Sequence, residues 1–203
     1  DLGAVGSEPA LEAIRRGEGL PVGRVVEGLR VRIMAGRADG AGEIQVAGPW
    51  VVGGYLDAAD DVAVKIREGG IVWHRTGDAG RLDERGELVL LGRVDRRAGD
   101  RFPFELEARA LADAGVKRAA VWPGGSGVWL AVEGRPGPGC AALVAGGAVD
   151  RVVPVERLPL DARHRSKVDG PALGRLLDPG RWRRWWSGAT RARDAPRRAS
   201  GRG

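Results

Sequence analysis

"IVWHRTGDAGRLDERGELVLLGRVD", residues 71–95, decides how the chain is read. Two apolar-rich runs are joined by Asp83-Glu84-Arg85-Gly86, where the glycine supplies the permissive backbone of a tight reversal. The stretch predicts an antiparallel hairpin. Upstream, "GEIQVAGPWVVGGYL" alternates Ile44 and Val46 on one face, with Trp50, Val51, Val52 and Tyr55 close behind, which is also strand-and-turn patterning. Between them "DAADDVAVKIRE" predicts a short helix or turn, because Asp57 can cap it and Val62 and Ile66 recur at helical spacing.

After Arg93 the texture changes. "FELEARALADAG" places Leu106, Ala110 and Leu111 on one helical face and ends at Gly115. "VKRAAVW" and "GVWLAVEG" read as strands around a glycine-rich turn, "PGPGCAALVAGGA" as a short helix, and "DRVVPVERLPL" as a further extended run. The fold class expected is α+β. The organisation expected is a strand-rich unit over 1–92, a helix-and-strand unit over 93–178, and a basic, largely disordered tail over 179–203.

With 203 residues, 43% of them hydrophobic, the chain can bury a core. No run approaches the roughly 18 apolar residues of a membrane-spanning helix, and no charged-then-apolar leader opens the chain. The single cysteine, Cys140, excludes an intrachain disulfide and reads as a small buried residue, so a cytoplasmic location is expected. His74 and His164 stand far apart without companion ligands, so no metal site is expected of them. The chain starts at Asp1 rather than Met, and we expect a truncated product.

The net charge of +6 is uneven. Eight of the 33 basic residues and one of the 27 acidic ones lie in 179–203, so the rest of the chain is close to neutral. An Arg-rich tail that opens with Trp182, Trp185 and Trp186 supports one alternative, a non-enzymatic module that binds nucleic acid or another anionic surface.

Four features occur in order: "GEIQVAGPWVVGGYL", the Thr76-Gly77-Asp78 to Gly92-Arg93-Val94-Asp95 stretch, "ELEARALADAGVKRAAVW", and "LPLDARHRSKVD" with Leu158-Pro159 and Lys167. Together they resemble the C-terminal third of the adenylate-forming (AMP-binding) superfamily. The wording of "LPLDARHRSKVD" and "GEGLPVGRVVEGLRVRIM" is most similar to the branch of fatty-acid ligases and olefin β-lactone synthetases. The resemblance implies a β-barrel-like end of a large adenylating domain followed by a small α+β lid domain.

It also implies a reaction. A carboxylic acid, here a fatty acid, attacks the α-phosphorus of ATP, pyrophosphate leaves, and an acyl-AMP remains for transfer to CoA or another acceptor. Asp78 would then accept hydrogen bonds from both ribose hydroxyls, and Lys167 would be the catalytic lysine that offsets charge building at the reacting phosphate. Arg93 and Asp95 would stand at the hinge between the domains, with Arg93 beside the nucleotide. Each has a plainer reading: Asp78 accepting local N–H bonds in a tight turn, Lys167 solvated, and Arg93 with Asp95 as a surface ion pair. Only Lys65, Lys117 and Lys167 occur among 33 basic residues, which singles Lys167 out.

Two departures matter. No Ser/Thr/Gly-rich loop ending in Lys and no Tyr-Gly-x-Thr-Glu segment occurs, so Mg2+ and the triphosphate are expected to be bound mainly by a missing part, and the isolated chain is expected to be inactive unless another polypeptide completes it. A decayed gene product is a third possibility. The segment "RRAGDRFPFELE" is also shorter than the family's loop that meets the thiol acceptor, which leaves CoA and β-lactone closure both open.

Overall fold

The computed structural model describes residues 8–54, 58–124, 127–162 and 167–177. Tyr55, Asp57, His164, the Trp182, Trp185 and Trp186 cluster and the Arg-rich tail lie outside them.

The chain opens with α1 (Glu8–Arg15), then β1 (Leu20–Gly23), β2 (Arg30–Ala35) and β3 (Gly42–Ala47). Next come α2 (Ala58–Val64), β4 (Lys65–Glu68), β5 (Ile71–Leu82) and β6 (Leu88–Arg93). These strands form one antiparallel six-stranded sheet in the order β1-β6-β5-β3-β2, with β4 also paired to β5. The β5–β6 hairpin closes as the sequence predicts. Asp83 Oδ1 accepts the N–H groups of Arg85 (2.9 Å) and Glu87 (2.8 Å), and Gly86 takes φ +73°.

The helix expected over 57–68 is corrected in its second half. Helix α2 stops at Val64, and Ile66 pairs with Trp73 in the β4–β5 ladder. Val62, 85% exposed, has no core to face. Pairing with the long β5 strand outweighs a local helical period of seven or so residues, because a helix that short gains little without a buried face.

A 3-10 turn (Val94–Arg96) leads to α3 (Pro103–Leu111), β7 (Val116–Gly124), β8 (Gly127–Gly134), α4 (Pro138–Ala145), β9 (Arg151–Val155) and α5 (Gly170–Leu177). Strand β7 runs antiparallel to β8, and β8 runs parallel to β9 with α4 as the crossover. This three-stranded sheet is covered on both faces. Val121, Leu130 and Val132 pack against Leu106, Ala110, Cys140 and Leu143 of α3 and α4. Ala120, Trp129 and Ala131 point the other way, onto Leu158, Leu173 and Leu177. The period of two along β7 and β8 places successive side chains in different cores, and each fully buried leucine contributes about 1.5–3 kcal/mol. Leu111 departs from expectation: it is 46% exposed, while Leu106 and Ala110 are fully buried.

Helix α3 begins with Pro at its first position and a side-chain cap, Glu105 Oε2 accepting the Phe102 N–H at 2.6 Å. Phe102 itself packs with Ala41, Ala79, Val89 and Leu91 of the six-stranded sheet. Arg37, in the β2–β3 turn, donates from Nη1 to both Glu105 carboxylate oxygens (2.9 and 2.7 Å) and to the Asp100 carbonyl (2.9 Å). The start of α3 is thereby fastened to the first sheet while its body packs on the second.

A candidate nucleotide cleft between two sheets

Thr76-Gly77-Asp78 is not a turn. It interrupts the β3–β5 ladder, where Gln45 faces Arg75 and Glu43 already faces Ala79, so β5 carries extra residues and bulges. Gly77 holds φ +71°, and a Cβ there would stand 2.7 Å from Arg93 Nη2. The left-handed backbone favours glycine there, and a Cβ would displace the Arg93 guanidinium. Thr76 Oγ1 fastens the bulge by donating to the Ile44 carbonyl (2.8 Å) and accepting the Asp78 N–H (3.0 Å).

The bulge turns the Asp78 carboxylate towards Arg93, its register partner on β6. Arg93 Nη1 donates to Asp78 Oδ1 at 3.3 Å and to the Thr76 carbonyl at 3.2 Å, and Arg93 Nε donates to Asp95 Oδ1 at 3.4 Å. With about two-fifths of its side chain exposed, Asp78 keeps acceptor capacity for a ligand.

Lys167 arrives from the segment between β9 and α5. Leu158 is buried, and its N–H donates to Glu133 Oε2 of β8 at 3.1 Å. Leu160 and Val168 then pair as an isolated bridge, with the Asp161 N–H donating to the Lys167 carbonyl at 2.8 Å. Asp169 caps α5 through Oδ1, which accepts the Ala172 N–H at 2.9 Å. The backbone on both sides of Lys167 is therefore held, while its side chain is exposed.

Asp78, Arg93, Asp95 and Lys167 all line one cavity of about 960 Å³ between the two sheets. Its apolar wall includes Leu90, Phe104, Leu111, Trp122, Leu160 and Val168. Its polar rim adds Arg96, Glu107, Lys117 and Arg118. Burial pushes the Glu107 carboxyl above the usual range, against the opposing pull of the Val121 N–H it accepts (2.9 Å) and of Arg96. Among the described residues no three His, Cys, Asp or Glu side chains converge to hold a metal ion, and the donor set here does not fit a magnesium cage.

The residues that sequence reading passed over are Glu133, Glu107, Lys117, Arg118 and Trp122. One signal was available. Lysine is scarce, and two of the three lysines line this cavity, whereas buried Lys65 donates to the Val52 carbonyl. Cys140 is buried as expected, and burial beside Asp113 pushes its thiol up to about 11. No helix among the described residues is long and apolar enough to cross a membrane.

No family model matches the chain. In sequence it is 44% identical over 72 residues, 36% of its length, to the long-chain-fatty-acid–CoA ligase ACSBG1 of Rattus norvegicus, of which that stretch is 10%. Over 126 residues it is 36% identical to the L-proline–[L-prolyl-carrier protein] ligase of Streptomyces coelicolor, covering 57% of this chain and 23% of that one. In fold it is similar to ATP-bound MatB of Rhodopseudomonas palustris, with a TM-score of 0.60, 26% identity, and coverage of 75% of this chain and 35% of MatB. In sequence and in fold, then, the chain is similar to part of the adenylate-forming ligases. It spans a tenth to about a third of the proteins it matches.

Proposed function

We propose that this chain is the C-terminal part of an AMP-forming, acid-activating ligase. Residues 1–92 close the large domain, residues 93–178 form the lid, and the cleft between them is the nucleotide site. One observation carries the reading: Asp78 and Arg93, from the six-stranded sheet, and Lys167, from the segment between β9 and α5, line a single cavity.

In that cleft Asp78 accepts the two ribose hydroxyls, and Arg93 holds the carboxylate in place from behind. Lys167 stands at the acyl carboxylate and the α-phosphate. A carboxylate oxygen forms the new P–O bond, the α–β phosphoanhydride bond breaks, and pyrophosphate leaves with the electron pair. The Lys167 ammonium offsets the charge that accumulates on the equatorial oxygens. The 3-10 turn at Val94–Arg96 is the hinge about which the lid, and Lys167 with it, moves between steps. The similarity to a long-chain-fatty-acid–CoA ligase supports a fatty acid as the substrate and a thiol as the acceptor. The phosphate-binding loop is absent from these residues, so the chain alone is inactive.

The test is ATP–pyrophosphate exchange with a panel of fatty and hydroxy acids, on this chain and on this chain joined to a large-domain portion that carries the phosphate loop. The joined protein is expected to exchange, Lys167→Ala to lower kcat by about 10²–10³-fold, and Asp78→Asn to act mainly on KM for ATP. A joined, folded protein that exchanges with no acid refutes the reading.

A further inference from the structure

Strand β7 does not alternate at its start. Val116 faces Gly134 across the β7–β8 ladder and Arg118 faces Glu133, so Lys117 is an extra, unpaired residue. The irregularity is built into the partner strand: Gly134 holds φ +114°, and a Cβ there would collide with the Gly115 carbonyl. In a regular strand Lys117 and Arg118 would point to opposite faces, whereas a bulge brings neighbouring side chains to the same side. Both line the cavity.

The charges there do not cancel. Asp78 and Asp95 both already face Arg93, Glu107 accepts the Val121 N–H and feels the charge of Arg96, and Arg118 lies 3.7 Å from Glu133. Lys117 and Lys167 are exposed, and neither ammonium has a protein partner among the described residues. The cleft therefore carries surplus positive charge, at Lys117 and Lys167.

We propose that Lys117, with Arg118 beside it, forms a second anion subsite of the cleft that takes a phosphate group of a bound ligand. It rests on reading the cleft as a nucleotide site. The phosphate comes either from the polyphosphate of ATP and its pyrophosphate product or from a phosphorylated thiol acceptor. A lysine ammonium and a neighbouring guanidinium suit a phosphate dianion through charge-assisted hydrogen bonds.

The experiment is isothermal titration of the full 203-residue chain with inorganic pyrophosphate, AMP, CoA and dephospho-CoA, at low and high salt. The proteins are the wild type, Lys117→Gln, Lys117→Gln/Arg118→Gln and Asp78→Asn, with far-UV circular dichroism confirming each fold. Pyrophosphate or CoA binding is expected to weaken about tenfold in Lys117→Gln and further in the double variant, with a shallower salt dependence and AMP affinity within about twofold of the wild type. Loss confined to pyrophosphate assigns the subsite to the polyphosphate, and a preference for CoA over dephospho-CoA that Lys117→Gln removes assigns it to the acceptor. A wild-type chain that binds neither pyrophosphate nor CoA, or a double variant that binds both as tightly as the wild type, overturns the proposal. AMP binding that ignores Asp78→Asn sinks the ribose role of Asp78 while leaving the anion subsite standing.

Discussion

Replacing Arg37 with alanine should loosen the junction between the two sheets by a measurable amount. Glu105 is 9% exposed, and its carboxylate accepts two hydrogen bonds from Arg37 Nη1, at 2.9 and 2.7 Å, besides the Phe102 N–H. Arg37→Ala leaves that charge buried with only its helix-cap bond. Losing one partner of a buried ion pair costs about 3–5 kcal/mol, and because the Arg37 side chain is 19% exposed we take the lower end, about 3 kcal/mol. Asp39 also loses its guanidinium, which holds its carboxyl at about 2, but Asp39 is exposed enough that this adds little. For a chain of this size a loss of 3 kcal/mol lowers Tm by about 6–12 °C. Glu105→Gln should cost less, since the amide oxygen still caps Phe102 and Arg37 keeps Asp39. Thermal melting followed by circular dichroism measures both. A Tm for Arg37→Ala within about 2 °C of the wild type, or one above that of Glu105→Gln, refutes the reasoning.

Gly174 sits inside α5, where a new Cβ would stand 2.5 Å from Trp122 Cζ2 and 2.7 Å from Cη2. Gly174→Ala should therefore destabilise by about 1 kcal/mol net, overpacking outweighing the gain in helix propensity. Trp122→Phe, which removes those ring atoms, should restore most of the loss in chemical denaturation. A single variant more stable than the wild type would contradict this packing. Glu107 gives a pH test: its folded pKa lies above its unfolded value, so the native state binds the proton more tightly and stability falls as pH rises through that interval. Glu107→Gln, which keeps an acceptor for the Val121 N–H, should raise Tm at pH 7, and the gain should vanish as pH falls below the ordinary glutamate range of about 4.3. A gain that is the same at pH 3 and pH 7 would remove burial of the charge as its cause.

Much of the fold is legible in the chain because its signals are local. The 83–87 reversal shows in one Asp and one Gly, α3 in an apolar face, and β7 and β8 in apolar runs between glycines. The misreadings share a cause. Val62 and Ile66 satisfy a helical period, yet Ile66 is claimed by β5, the first strand of the hairpin, through its pairing with Trp73. Leu111 fits the helical face of α3, but that face runs out of core and opens onto the cleft. Local periodicity says which residues can share a face and not what lies opposite.

The sequence by itself determined the α+β class, the β5–β6 hairpin, α3 with the strands and helix that follow it, and the resemblance to adenylate-forming ligases, since each of these signals and motifs is local, whereas α1, β1, β2 and the strand at Lys65–Glu68 went unread. Only the tertiary structure decided that Thr76-Gly77-Asp78 is a strand bulge fastened to β3, that Glu133 anchors the Leu158 turn, and that Lys117 and Arg118 share the cavity with Lys167. Those facts depend on pairings between strands far apart in the chain. A shift of one residue in register turns every side chain to the opposite face, and the residues that select the register here lie on strands many positions apart, beyond the reach of a local pattern.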